Sequence, residues 1–116
     1  MLIKALKGKI HRATVTATKI DYPGSIGIDT DLLDAAGIVP YEAVLLANVT
    51  NGERLETYVI KGIRGSGEVC LNGPAARKAQ VGDIIIIISY SSMTPVESKS
   101  HKPVVIFPDD RNKLPQ

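Results

Sequence analysis

The chain has 116 residues, 44% of them apolar, and carries 14 basic against 12 acidic side chains for a formal charge of +2. That length supports one domain with a real core but not two, and the apolar fraction excludes a disordered chain. So mild a charge gives no argument for a nucleic-acid partner, while it suits anionic small molecules.

One Phe, four Tyr and no Trp leave the core to Ile, Val, Leu and Ala. Ile and Val favour strands. Cys70 is the single cysteine and has no partner for an internal disulfide, and no long apolar run precedes a cleavage site near the N-terminus. Both features lead to the expectation of a cytoplasmic protein. The longest aliphatic run, Ile84 to Ile88, is too short to cross a bilayer, so no membrane partner is expected. It reads as a strand buried on both faces.

In chain order, Lys9 to Thr18 alternates as a strand, with Lys9, His11, Ala13, Val15 and Ala17 on one face. Tyr22-Pro23-Gly24-Ser25 follows, with Pro and Gly where a type II turn asks for them. A short strand around Ile26 to Ile28 leads to a brief helix through Leu32, Leu33 and Ala36, capped by Asp29 or Thr30 and stopped by Gly37. Further strands are predicted at Ala43 to Val49, Leu55 to Ile63, Glu68 to Leu71 and Gly82 to Tyr90, with turns at Asn51-Gly52 and Gly65-Ser66-Gly67. Asn72-Gly73-Pro74 opens a second short helix, Asn72 being the expected cap. The segment from about residue 95 to 116, rich in Pro and charge, is expected to be a less ordered tail or to serve contacts between subunits. Many short strands with little helix predict a mainly β fold, a small closed or partly closed barrel with two or more short helices.

Several residues carry chemistry. In Gly24-Ser25 a hydroxyl follows a glycine that tolerates strained backbone, so Ser25 Oγ can fold back onto the Gly24 carbonyl. Arg54, Glu56 and Tyr58 project from one face of a strand and Thr57 from the other. An arginine fork suits a carboxylate and a tyrosine hydroxyl can donate a proton, although the same spacing describes an ordinary solvent-facing strand. Lys9 and His11 either bind an anion or form a solvated basic edge. His11 has no His or Cys partner at ligand spacing and His101 lies in the tail, so no metal site is expected. Backbone N–H groups of Gly73, Ala75 and Ala76 at a helix start favour an anion. Cys70 reads as a small buried apolar residue.

Taken together, these residues resemble the pyruvoyl-dependent aspartate decarboxylase family. The resemblance runs in order through Lys7-Gly8-Lys9-Ile10-His11-Arg12, Tyr22-Pro23-Gly24-Ser25 and Asp29-Thr30-Asp31-Leu32-Leu33-Asp34-Ala35-Ala36-Gly37-Ile38. It continues through Asn48-Val49-Thr50-Asn51-Gly52, Arg54, Thr57-Tyr58, Arg64-Gly65-Ser66, Asn72-Gly73, Ala75-Ala76 and Val81-Gly82-Asp83-Ile84.

The resemblance implies a double-psi β-barrel, a homotetramer with active sites between subunits, and self-cleavage between Gly24 and Ser25 into chains 1–24 and 25–116. Ser25 would become a pyruvoyl group, replacing pyridoxal phosphate as the cofactor. Its ketone would form a Schiff base with L-aspartate, giving β-alanine and CO2 for pantothenate and coenzyme A synthesis. It further implies Tyr58 as proton donor, Arg54 and Lys9 as carboxylate holders, and Thr57 as the residue that orients the Gly24 carbonyl and lines the site. Substrate would also meet the backbone of Gly73, Pro74 and Ala75, with His11, Tyr22 and Asn72 in support. Pro74 stands where the family more usually has alanine, which removes a donated N–H, and Pro23 stands where a non-proline is common. Whether maturation uses an accessory protein is outside what the resemblance implies. The reading of another class is a non-catalytic or unprocessed β-barrel binding module, with Lys4, Lys7, Lys9, Arg12 and Lys19 forming a basic N-terminal edge.

Overall fold

The computed structural model describes residues 1–115. Strand β1 (Ile3–Thr14) is followed by β2 (Ala17–Lys19), β3 (Ser25–Asp29), helix α1 (Thr30–Ala36), β4 (Ala43–Asn48), β5 (Arg54–Gly62) and β6 (Val69–Asn72). A 3₁₀ helix (Gly73–Lys78), β7 (Ile84–Met93), α2 (Pro95–Ser100) and β8 (Val104–Ile106) complete the chain. The strands form one sheet in the order β2-β6-β3-β5-β4-β7-β1-β8. The end strand β2 is tied covalently to β1, which lies next to the opposite end, because only Val15 and Thr16 separate the two. Val15 N–H donates to the Asp83 carbonyl at 2.9 Å and Thr16 N–H to that of Val69 at 2.8 Å, carrying the chain from the β7–β1 side of the sheet to the β6–β2 side. The sheet therefore rolls into a barrel, which removes most of its exposed edge.

The interior is aliphatic, as the composition requires. Ile10, Ala13, Ile26, Ile28, Leu32, Val59, Val69 and Ile87 are fully buried, one or two from each of β1, β3, α1, β5, β6 and β7. Strand β3 lies parallel to β5 and antiparallel to β6, and all five of its residues are buried.

Four expectations change. The first predicted strand is two, since β1 ends at Thr14 and β2 starts at Ala17, and β1 itself carries a bulge where Arg12 adopts φ +69° and the β1–β7 register shifts between Ile10 and Ala13. This bulge turns Ile10 and Ala13 both inward, so Lys9, His11, Ala13, Val15 and Ala17 do not share a face. The isoleucine run is buried on one face only. Ile85 and Ile87 point into the barrel, while Ile84, Ile86 and Ile88 are half-buried on its outside. Tyr22 to Ser25 is not a type II turn, since Gly24 is absent from the positive-φ glycines and the backbone turn bond runs instead from Tyr22 N–H to Lys19. Finally, residues 95–115 are held rather than loose. A capping box of Thr94 and Glu97 starts α2, β8 pairs parallel with β1, and buried Asn112 donates to the carbonyls of Thr14 and Gly67 at 2.8 Å each.

The remaining elements follow the sequence closely. Asp29 caps α1 by accepting from Asp31 N–H at 2.8 Å, and Gly37 ends it in the left-handed conformation. The buried Asp29 carboxylate also accepts from the N–H groups of Gly65 at 3.0 Å and Gly67 at 2.8 Å. One side chain thus ties the helix start to the β5–β6 turn. Burial by itself would raise the Asp29 pKa, but the three N–H donors and nearby Lys113 outweigh it and hold the carboxyl below its ordinary value.

Because the folded pKa is depressed, this stabilisation is complete above the unfolded value of about 4 and drains away as pH falls through the folded value. Asp29→Ala leaves three donors without a partner and should cost about 3 kcal/mol in a denaturant titration near neutral pH. Between about pH 5 and pH 2 the wild type should lose stability more steeply than Asp29→Asn, which carries no titrating group at this position.

Candidate active site

Ser25 is the first residue of β3, opposite Asn72 of β6, and only 2% of its surface is exposed. Its backbone adopts φ +139°, a region that side-chain-bearing residues rarely occupy. The strain that the sequence assigns to Gly24 therefore falls on Ser25, beside the peptide bond that joins them. Asn72 Nδ2 donates to Ser25 Oγ at 3.0 Å, and Asn72 Oδ1 lies 3.3 Å from the Cys70 thiol. Asn72 makes no capping bond to the 3₁₀ helix that follows. Its amide is turned to the serine instead.

Gly73 is packed against this segment. It takes φ +63°, and a Cβ added there would lie 2.7 Å from the Tyr22 carbonyl oxygen and 2.9 Å from the N and Cα of Gly24. Only a glycine lets the two backbones approach this closely. Beside them opens a pocket of about 230 Å³, lined by Gly24, Thr57, Asn72, Pro74 and Ala75 together with Leu55, Glu56 and Lys78.

The pocket gathers one part of the expected site and leaves the rest elsewhere. Along β5, Leu55 and Thr57 are half-buried and alternate with exposed Arg54, Glu56 and Tyr58. Lys9 lies in register with Ile88, Ile88 with Leu45, and Leu45 with Glu56. Lys9, Arg54 and Tyr58 therefore share the outer face of the sheet β5-β4-β7-β1. Tyr58 is 39% exposed and packs beside Tyr41, with ring centroids 6.4 Å apart. Tyr22 is also exposed, with the Lys19 ammonium 4.9 Å from its ring centre.

His11 sits at the β1 bulge against a different recess of about 290 Å³, where its ring meets Phe107 edge-on at 5.5 Å. Burial, followed by the charges of Lys9 and Arg12, lowers its pKa and favours the neutral imidazole. Its Nδ1 is buried without a hydrogen-bond partner among the described residues.

The N-terminal cations do not converge on one patch. Lys7 bonds the Glu42 carboxylate at 2.8 Å, Lys4 lies over the Tyr90 ring and Lys19 over that of Tyr22. Among the described residues no group of three or more His, Cys, Asp or Glu side chains is placed to hold a metal, and no helix is long and apolar enough to cross a membrane.

Sequence reasoning took Cys70 for a small buried apolar residue, and it is buried but also bonds Asn72, two residues on along the same strand. That spacing puts both side chains on the same face. Leu55 and Lys78, which also line the pocket, carried no site expectation. Lys78 reaches the pocket only because the 3₁₀ helix folds back over β5, a placement with no local signal.

The barrel is similar to a computationally designed double-psi β-barrel protein, at a TM-score of 0.50 with 14% identity, over 77% of this chain and 99% of that one. The fold is a double-psi β-barrel. Aspartate 1-decarboxylase of Parabacteroides distasonis is 60% identical over 115 residues, covering 98% of this chain and 99% of the relative. The corresponding enzyme of Bacteroides thetaiotaomicron is 61% identical over 109 residues, covering 94% and 93%. That of Caldicellulosiruptor saccharolyticus is 58% identical over 114 residues, covering 98% and 89%. The family model for aspartate decarboxylase matches residues 1–115, and the chain belongs to that family.

Proposed function

We propose that the protein cleaves itself between Gly24 and Ser25 and then, as an aspartate 1-decarboxylase, converts L-aspartate to β-alanine and CO2 for pantothenate synthesis. The observation that carries this reading is the buried Ser25, with φ +139° and its Oγ held by Asn72, next to a pocket lined by Gly24 and Thr57.

In the processing step Ser25 Oγ adds to the Gly24 carbonyl carbon and its proton passes to the amide nitrogen. The C–N bond breaks and an ester joins the two residues. Loss of the Ser25 α-proton expels Oγ with the Gly24 carboxylate and leaves a dehydroalanine. One water then releases ammonia and leaves a ketone, so that chains 1–24 and 25–116 result. Thr57, in the pocket beside Gly24, is positioned to orient the carbonyl under attack. The strained Ser25 backbone is relieved when the peptide bond breaks, which favours cleavage.

The surroundings of Ser25 suit a pyruvoyl group. The residue is shielded from bulk water yet adjoins a pocket of a size for a small amino acid. When formed, that group supplies the covalent anchor and electron sink that amino-acid decarboxylation needs. The Arg54 fork and the Lys9 ammonium would hold substrate carboxylate. Tyr58 Oη would deliver the proton to the carbon that loses CO2. The backbone of Gly73, Pro74 and Ala75 would line the substrate, with Pro74 contributing no N–H.

Arg54, Lys9 and Tyr58 lie on the outer sheet face, so a site uniting them with Ser25 needs a neighbouring subunit. That face carries Tyr41, Tyr58 and Tyr90 exposed and Leu45, Ile86 and Ile88 half-buried, an aromatic and aliphatic surface suited to a second copy. We read the assembly as a homotetramer with active sites between subunits.

Intact-mass spectrometry of the purified protein should find fragments 1–24 and 25–116, the larger blocked at its N-terminus; one uncut chain after prolonged warm incubation would sink the reading. Ser25→Ala should stay whole and release no CO2 from aspartate. Tyr58→Phe should cleave normally yet decarboxylate about a hundredfold more slowly, and unimpaired turnover would refute the proton-donor role. In Gly73→Ala the added methyl forces the Tyr22–Gly24 backbone away, so cleavage timed on gels should slow by at least about tenfold, a barrier increase of about 1.4 kcal/mol.

A further inference from the structure

Resting on the processing reading, we propose that Cys70 is a positioning residue for self-cleavage: its thiol donates to Asn72 Oδ1 and so sets which end of the Asn72 amide faces Ser25. A carboxamide presents a donor at one end and an acceptor at the other, and the two ends differ little in shape. With Oδ1 occupied by the Cys70 thiol at 3.3 Å, Nδ2 is the end left to meet Ser25 Oγ, at 3.0 Å. All three side chains are buried, at 4%, 3% and 2% exposure, so water is poorly placed to substitute for a missing partner. Burial also raises the thiol pKa above its ordinary value, which keeps the proton on sulfur.

The chemical consequence lies in what Ser25 Oγ is asked to do. As an acceptor from Asn72 it keeps its own hydrogen uncommitted, and that hydrogen is the one that must reach the Gly24–Ser25 amide nitrogen as the acyl group moves. Its position is fixed by the same bond, and the N–H dipole stabilises charge that builds on the oxygen. A reversed amide would instead accept from the Ser25 hydroxyl and hold its proton back. Cys70 does not itself line the pocket, and its side-chain hydrogen bond is to Asn72, so it acts through that amide.

The test times cleavage of freshly made wild type, Cys70→Ser and Cys70→Ala by intact mass, each with and without Asn72→Ala, alongside thermal unfolding of each protein. Cys70→Ala should slow cleavage about fivefold, in line with the loss of one modest hydrogen bond, without a matching fall in unfolding temperature. Cys70→Ser, which keeps a donor, should stay within about twofold of wild type. Cys70→Ala should change nothing further once Asn72 is alanine. Should Asn72→Ala be too slow to time, the contrast between the serine and alanine variants decides.

Cleavage of Cys70→Ala at the wild-type rate, equal slowing by serine and alanine, or an undiminished effect in the Asn72→Ala background overturns the positioning role. An uncut wild type overturns the processing reading and this inference with it, so the two failures are told apart.

Discussion

Ser25 and Asn72 face each other across the antiparallel β3–β6 ladder, and that register places every other part of the pocket. It puts the Asn72 amide within reach of the serine hydroxyl. It also delivers Gly73, the next residue, against the backbone of Tyr22 and Gly24. A slip of one residue would turn Asn72 to the opposite side of the strand and separate the pair, since side chains alternate. Slippage is resisted because β3 is clamped on its other edge by β5, in parallel register from Ile26 to Asp29. Four consecutive residues after Ser25 are buried between these partners. A rigid strand thus holds a strained first residue, and local strain persists only where its surroundings over-determine it.

Strand β5 divides the chemistry between two environments by alternation alone. Thr57 turns to the pocket by Gly24 and Tyr58, its neighbour, turns to the outer face with Lys9 and Arg54. Thr57 and Tyr58 leave the strand on opposite sides, and Tyr58 does not line the pocket that Thr57 lines. The proposed assembly would resolve this by bringing an outer face of one subunit to the pocket of another. The same surface explains the isoleucine run: Ile85 and Ile87 fill the barrel, while Ile86 and Ile88 contribute to an apolar exterior beside Leu45 and Tyr90.

Two carboxylates, buried Asp29 and half-buried Glu42, hold the barrel wall around this frame, both titrating below their ordinary range. Burial opposes ionisation in each. At Asp29 backbone N–H groups outweigh it, and at Glu42 the bonds from Lys7, Ser89 and the Val39 N–H do so. Asp29 ties α1 to the turn that feeds β6, and Glu42 joins β1 to the start of β4 and to Ser89 of β7. Asn112 performs a similar service for the last residues, joining them to Thr14 and to Gly67. Beside the β8–β1 pairing, one buried amide holds this segment rich in proline and charge, a contact with no signature in composition.

By itself the sequence determined the elements from β3 to β7 and named the candidate site residues, but it marked neither α2 nor β8. Alternation placed β4, β5, β6 and β7 within a residue or two of their observed ends, apart from the last residues of β7, and Asp29 and Gly37 marked the limits of α1, because these signals are local. The ordered run of motifs from Lys7 to Ile84 pointed to the family, and with it to Gly24-Ser25. Tertiary structure decided the rest. It moved the strain from Gly24 to Ser25, put a bulge in the first strand and ended it at Thr14, turned Asn72 from a helix cap into a partner for the serine, and gave Cys70 a polar contact. Each of these depends on which distant strands lie side by side. Barrel closure sets that arrangement through pairings between residues far apart in the chain, and no local pattern encodes it.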